Sequence, residues 1–120
     1  MNKQSIGIVI CDDEPSLAFL YARILSNAGY RVSNSFKNGK ELVSYVRRNP
    51  QEVDVIILDY KMPEMDGLEA AKLLRLFKPG LKIIMASAYD VPGEALEYFN
   101  AIIRKPFSIS RLVETVANVV

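Results

Sequence analysis

The chain has 120 residues and a formal net charge of +1, with 15 Lys and Arg against 14 Asp and Glu, and half of its residues are hydrophobic. That size and composition suit one globular domain with a real core, and the balanced charge gives no bulk attraction to nucleic acid or a membrane surface. Histidine is absent and Cys11 is the only cysteine, which excludes a Ser-His-Asp triad, a His-rich metal site, a phosphohistidine carried by this chain and an internal disulfide.

The first predicted element is the apolar run Ile6 to Cys11, short enough for a buried strand, which ends in Asp12 and Asp13. Cys11 reads as a small buried filler. Taken singly, either aspartate is good capping chemistry ahead of Pro15. Leu17, Leu20, Tyr21, Ile24, Leu25 and Ala28 then recur at helical spacing, and Gly29 closes that helix. Tyr30 to Phe36 reads as a second strand. Lys37 to Arg48 reads as a helix on Leu42, Val43 and Val46, stopped by Asn49-Pro50.

The third strand, Val53 to Leu58, runs into Asp59, and a loop containing Pro63 and Gly67 follows. Asp66 caps a third helix, roughly Leu68 to Phe77, which Lys78-Pro79-Gly80 stops. Leu81 to Ala86 is the fourth strand and meets Ser87. Pro92 lets a fourth helix open only at Pro92 or Gly93, and Asn100 closes it, leaving about two turns. The last strand, Ala101 to Arg104, runs into Lys105-Pro106. A final helix turns Ile109, Leu112, Val113, Val116 and Val120 inward.

Strands alternating with helices predict an α/β fold: one domain over residues 1–120, three layers, five parallel strands buried on both faces, and right-handed crossovers. The C-terminal strand ends then share the edge where ligands bind in open sheets. Asp12, Asp13, Asp59, Ser87 and Lys105 all fall on that edge. Each alone has an ordinary reading as cap, loop carboxylate, turn residue or surface charge; together they form a pocket of carboxylates, a hydroxyl and an ammonium. A carboxylate oxygen can attack a phosphoryl group. Like charges about 4 Å apart repel by roughly 4 kcal/mol at an effective dielectric near 20, so such a cluster calls for a hard divalent cation with oxygen ligands. Lys105 offers a compact ammonium suited to a phosphoryl oxygen.

The runs Cys11-Asp12-Asp13-Glu14-Pro15, Leu58 to Gly67, Ala86-Ser87-Ala88 and Lys105-Pro106-Phe107 together resemble the receiver domain of two-component response regulators, the CheY-like family, over the whole chain and in the right order. The resemblance implies a flavodoxin-like, doubly wound sheet with strand order 2-1-3-4-5. It implies that Asp59 is phosphorylated from the phosphohistidine of a sensor histidine kinase or phosphotransfer protein, with Ser87 and Lys105 assisting. Mg2+, or Mn2+ in its place, would be ligated by Asp13, Asp59 and the Lys61 backbone carbonyl, with Asp12 acting mostly through water. The Lys105-Pro106 bond would be cis. Such a domain is a signalling phosphoacceptor rather than a turnover enzyme, although receivers hydrolyse their own aspartyl phosphate slowly. Two features depart from the family: the shortened fourth helix, and Ile102 where a switch aromatic normally stands three positions before the lysine. The expectation is that the fourth-helix face transmits phosphorylation differently, through the Tyr89 to Gly93 loop or through Tyr98 and Phe99, or only weakly; the alternative is that Ile102 simply packs in the core and output is read from another face.

Competing functions fail on specific residues. Haloacid-dehalogenase-type phosphatases place a second aspartate two positions after the nucleophile, where this chain has Lys61. A flavodoxin-type flavin module cradles phosphate in a Ser/Thr- or Gly-rich loop, whereas Asp12, Asp13 and Glu14 would repel a bare anion. An interaction module with a dead site is the remaining rival, opposed by competent residues at every catalytic position. No motif for reading DNA is present. No apolar run approaches the roughly 18 residues of a membrane span, and the polar start Met1 to Ser5 is unlike a secretion signal. The expected setting is therefore the cytoplasm, with no membrane or nucleic-acid partner and a downstream effector or output domain that the sequence does not name.

Overall fold

The solid Ile, Val and Leu runs become the middle of a parallel sheet, because only a strand covered on both faces can be apolar at every position. In the computed structural model, which describes residues 2–120, the strands are β1 (Gly7–Cys11), β2 (Arg31–Phe36), β3 (Val55–Asp59), β4 (Lys82–Ser87) and β5 (Ala101–Arg104). They pair in parallel in the order β2-β1-β3-β4-β5. The α-helices are α1 (Pro15–Asn27), α2 (Gly39–Arg48), α3 (Gly67–Phe77) and α4 (Ile109–Val119).

Alternate side chains along each strand divide the core in two. Ile8, Ile10, Ile57 and Ile84 pack with Tyr21 and Leu25 of α1 and Leu112 and Val116 of α4. Val9, Ile56, Leu58, Ile83 and Met85 face the other way, against Leu42 and Val46 of α2 and Ala70 and Leu74 of α3. Each fully buried aliphatic chain contributes about 1.5–3 kcal/mol of hydrophobic stabilisation before entropy is counted, so the three central strands are the rigid base of the site.

The helix ends follow sequence chemistry. Gly29, at φ 102°, adopts the left-handed conformation after α1; its N–H bonds the Ser26 carbonyl while the Tyr30 N–H bonds the Leu25 carbonyl, closing a Schellman motif. The Asp66 side chain accepts from the Glu69 N–H and the Glu69 carboxylate accepts from the Asp66 N–H, a full capping box that opens α3. Asp66→Ala should therefore lower stability by about 1 kcal/mol, read as a lower urea midpoint at unchanged slope; an unchanged midpoint would show the cap to be idle.

Three expectations need correction. The segment between β4 and β5 is as short as anticipated but is a 3₁₀ helix, Gly93–Tyr98, rather than an α-helix. Six residues opened by a proline fall below the length at which α-helix nucleation is repaid. On α4, Leu112 and Val116 are buried, but Ile109 is 63% and Val120 51% exposed, because both lie at the helix ends beyond the sheet. Burial on both faces holds for β1 and β3, whereas Ser33, Asn34 and Ser35 of β2 are exposed at the sheet edge.

Candidate functional site

Where β1 ends, the Asp12 N–H still donates to the Phe36 carbonyl of β2 at 2.9 Å, so this residue remains within the sheet and is buried. Its Oδ1 accepts from the Glu14 N–H at 2.9 Å, while Glu14, not Asp12 or Asp13, occupies the N-cap position of α1. Asp13 is exposed at the mouth of the acidic cavity. Asp59 is the last residue of β3 and is 7% exposed. Gly67 allows α3 to start hard against it, since a Cβ there would lie 2.5 Å from the Asp59 carbonyl oxygen and 2.8 Å from Met85 Cε.

Lys105 follows β5, and its N–H donates to the Ser87 carbonyl at 2.8 Å, which extends the ladder to the sheet edge. The Lys105-Pro106 bond is cis, as expected. From there the ammonium spans the pocket, donating to Asp12 Oδ2 at 2.9 Å and Asp59 Oδ1 at 3.0 Å. Among the described residues no buried side-chain polar atom is left without a partner. Carboxylate oxygens of Asp12, Asp13 and Asp59 lie within 4.8 Å of one another. A set of hard, anionic oxygens at that spacing fits Mg2+ or Mn2+ and suits no thiophilic metal.

The electrostatics follow from burial. Asp59 is pushed up to about 6, first by desolvation, against which Lys105 pulls down and Asp12 and Asp13 push up further. Burial alone would lower the Lys105 ammonium, but its bonds to Asp12 and Asp59 outweigh that and hold it above its ordinary value. The Cys11 thiol, buried below the cluster, is pushed up by desolvation and then by the nearby carboxylates, which makes it an inert filler.

Asp13, Asp59, Lys61, Ser87 and Lys105 all line one cavity of about 210 Å³, with Asp12 behind it. The Lys61 side chain is exposed, its Nζ 5.3 Å from the Tyr60 ring centroid. Ser87 is buried, and its hydroxyl bonds the backbone of Tyr89. Ile102 is half-buried and packs against the α2 and α3 side of the core. Sequence reasoning missed Glu14, Ala88 and Tyr89 as walls of the cavity. The available signal was position alone, since each lies within two residues of a strand-end site residue.

The model of the family described as response regulator receiver domain matches residues 8–117. The chain is 34% identical over 117 residues to the chemotaxis protein CheY of Thermotoga maritima, across 93% of this chain and 95% of that protein. It is 31% identical over 119 residues to the sensor kinase CckA of Brucella abortus, a match that spans 93% of this chain but 12% of the kinase. The solved structure of the response regulator TrrA from Thermotoga maritima, in complex with Mg2+-BeF, superposes with a TM-score of 0.86 at 29% identity, covering 96% of this chain and 99% of that one.

Proposed function

The chain belongs to the response regulator receiver family of two-component signalling, and on that premise we propose that Asp59 accepts a phosphoryl group from the phosphohistidine of a sensor histidine kinase or phosphotransfer protein. The observation that carries this reading is the Lys105 ammonium held between the buried carboxylates of Asp12 and Asp59, with Asp13 beside them. In the transfer, an Asp59 carboxylate oxygen forms the bond to phosphorus as the phosphorus–nitrogen bond breaks, and the leaving imidazole keeps that electron pair and takes a proton from solvent. An Asp59 near 6 is mostly ionised at neutral pH and so is available as the nucleophile.

Lys105 then exchanges its carboxylate partners for a phosphoryl oxygen, and the Ser87 hydroxyl donates to another. Both groups stand on strand ends fixed by the core, so their placement costs little reorganisation. Asp12, Asp13, Asp59 and the Lys61 carbonyl would hold Mg2+ or Mn2+, which when bound offsets carboxylate repulsion and polarises the phosphoryl oxygens. The whole chain, 1–120, acts on this reading as one receiver domain: a phosphoacceptor that changes conformation for a downstream effector, slowly hydrolyses its own acyl phosphate, and does not itself bind nucleic acid. Among the described residues no helix is long and apolar enough to cross a membrane, which agrees with a cytoplasmic setting.

Transfer of labelled phosphate from a phosphorylated histidine phosphotransfer domain to this chain tests the proposal. Label should move within the mixing time when Mg2+ is present and stay on the donor in excess chelator; no transfer from any such donor would oppose it. The ligand assignment has its own test. Loss of an outer-shell partner already costs about 10–100-fold in metal affinity, so Asp13→Ala should weaken Mg2+ binding by at least about tenfold in calorimetric titration. Unchanged affinity would remove Asp13 from the ligand set.

A further inference from the structure

β5 is the least secured strand of the sheet. It has four residues, pairs on one side only, with β4, and follows a 3₁₀ helix in which Ala95 alone is buried. Its side chains do not fix its register. Ile103 fills the buried place opposite Ala86, and a slip of one residue would put Ile102, another isoleucine, there. Arg104 would then stand where Lys105 does.

What pins the strand is polar. The Asn100 N–H donates to the Ile83 carbonyl at 2.8 Å and Asn100 Oδ1 accepts from the Ile83 N–H at 2.8 Å, so one residue closes both backbone groups of its β4 neighbour. Arg75 on α3 holds that side chain in place. Its Nη2 donates to Asn100 Oδ1 at 2.7 Å and to the Tyr98 carbonyl at 3.0 Å, and its Nε donates to the same Tyr98 carbonyl at 3.2 Å. Its Nη1 donates to the carbonyls of Pro79, at 3.0 Å, and Leu81. A guanidinium has five N–H groups, and each is used within the chain, so none is left for a ligand.

We propose that Arg75 and Asn100 are positioning residues for phosphoryl transfer: they set the register of β5, and that register sets Lys105 against Asp59. The role rests on the reading of Asp59 as phosphoacceptor.

Lys105 follows β5 directly, so its reach to Asp59 at 3.0 Å is inherited from the strand. A strand rises about 3.3 Å per residue, so a slip of one residue is longer than that contact and turns each side chain to the other face. Misplacement of a reacting group by about 1 Å already costs up to about 10² in rate. Asp12, Asp13 and Asp59 stand at the ends of β1 and β3, which are paired on both sides and do not depend on β5. Lysine at position 75 would keep the charge but not the planar fork that reaches Asn100, Tyr98, Pro79 and Leu81 together. Aspartate at position 100 would offer the same accepting oxygen to Arg75 and to the Ile83 N–H.

Phosphorylation of the full chain by acetyl phosphate, with cross-strand contacts read from amide spectra, tests the role in wild type, Asn100→Leu, Arg75→Lys and Asn100→Asp. At saturating donor and Mg2+, Asn100→Leu and Arg75→Lys should react at least about tenfold more slowly than wild type. Both should lose the Ser87 to Arg104 pairing, and their Mg2+ affinity in calorimetric titration should not fall. Asn100→Asp should stay within about twofold of the wild-type rate. Wild-type rates in Asn100→Leu and Arg75→Lys would overturn the role, as would a slowed rate with the Ser87 to Arg104 pairing intact. A rate loss matched by an equal loss of Mg2+ affinity would mark general damage and overturn it too, and so would an Asn100→Asp variant as slow as Asn100→Leu. No adduct on wild type with its β4–β5 pairing intact would instead refute the phosphoacceptor reading, and the positioning for transfer with it.

Discussion

In chelator-containing buffer at about pH 7.5, Asp59→Asn is expected to be more stable than the wild-type chain by about 1–3 kcal/mol, and the advantage should shrink toward zero near pH 4. The cause is the buried Asp59 carboxylate, whose pKa rises from an ordinary 3.8 to about 6, mainly by desolvation. The unfolded chain releases this proton more readily than the folded one. Between about pH 4 and 6 the folded state therefore binds more protons, and its stability falls as pH rises through that window. The full penalty is present above about pH 6, where the folded group must also ionise. Asparagine fills the same volume without a charge and escapes the penalty, leaving Lys105 paired with Asp12. Paired urea titrations across this range would show the two midpoints separating as pH rises. A less stable Asn variant at neutral pH would mean that the Lys105 contact outweighs burial.

Lys105→Ala should show the opposite sign and a larger functional effect. The variant leaves two nearly buried carboxylates, Asp12 and Asp59, without the ammonium that both now contact. Breaking one side of a buried ion pair costs about 3–5 kcal/mol when nothing relaxes; protonation of Asp59 relieves part of it, so about 2–4 kcal/mol is expected at neutral pH in chelator. The loss should be largest at alkaline pH, diminish as pH falls toward about 6, where Asp59 is protonated in the variant, and diminish on adding Mg2+, which supplies the missing positive charge. Phosphorylation by acetyl phosphate should slow by about 10²–10³, the usual cost of removing one preorganised charge-stabilising group. Unchanged stability, or a rate within a few-fold of wild type, would reduce Lys105 to a surface lysine.

The parts of this molecule legible in its sequence are those that burial dictates. β1 and β3 announce themselves because every position is covered, and their ends carry Asp12 and Asp59 as expected. A continuous apolar run cannot say which of two adjacent aspartates folds inward; that depends on strand pleat, which buries Asp12 and exposes Asp13. The 3₁₀ character of Gly93–Tyr98 was hidden because six residues complete no clear helical period. The loop after Asp59 hid a turn as well. Pro63 and Gly67 are its visible turn formers, yet the left-handed residue is Glu64, at φ 69°, in a γ-turn closed by the Met65 N–H and the Pro63 carbonyl at 2.8 Å. The bond from the Ser87 hydroxyl to the Tyr89 backbone, two residues on, is the turn chemistry its residue type offers, so the turn reading and the site reading of Ser87 hold together.

Intact-mass measurement followed by peptide mapping, after incubation with acetyl phosphate and Mg2+, tests Asp59 as the acceptor most directly. One phosphoryl group per chain should appear, borne by the peptide containing Asp59, and it should be missing from Asp59→Asn and from wild type in excess chelator. A phosphoryl group mapped to another residue, or none on folded wild-type chain with Mg2+ present, would contradict the assignment.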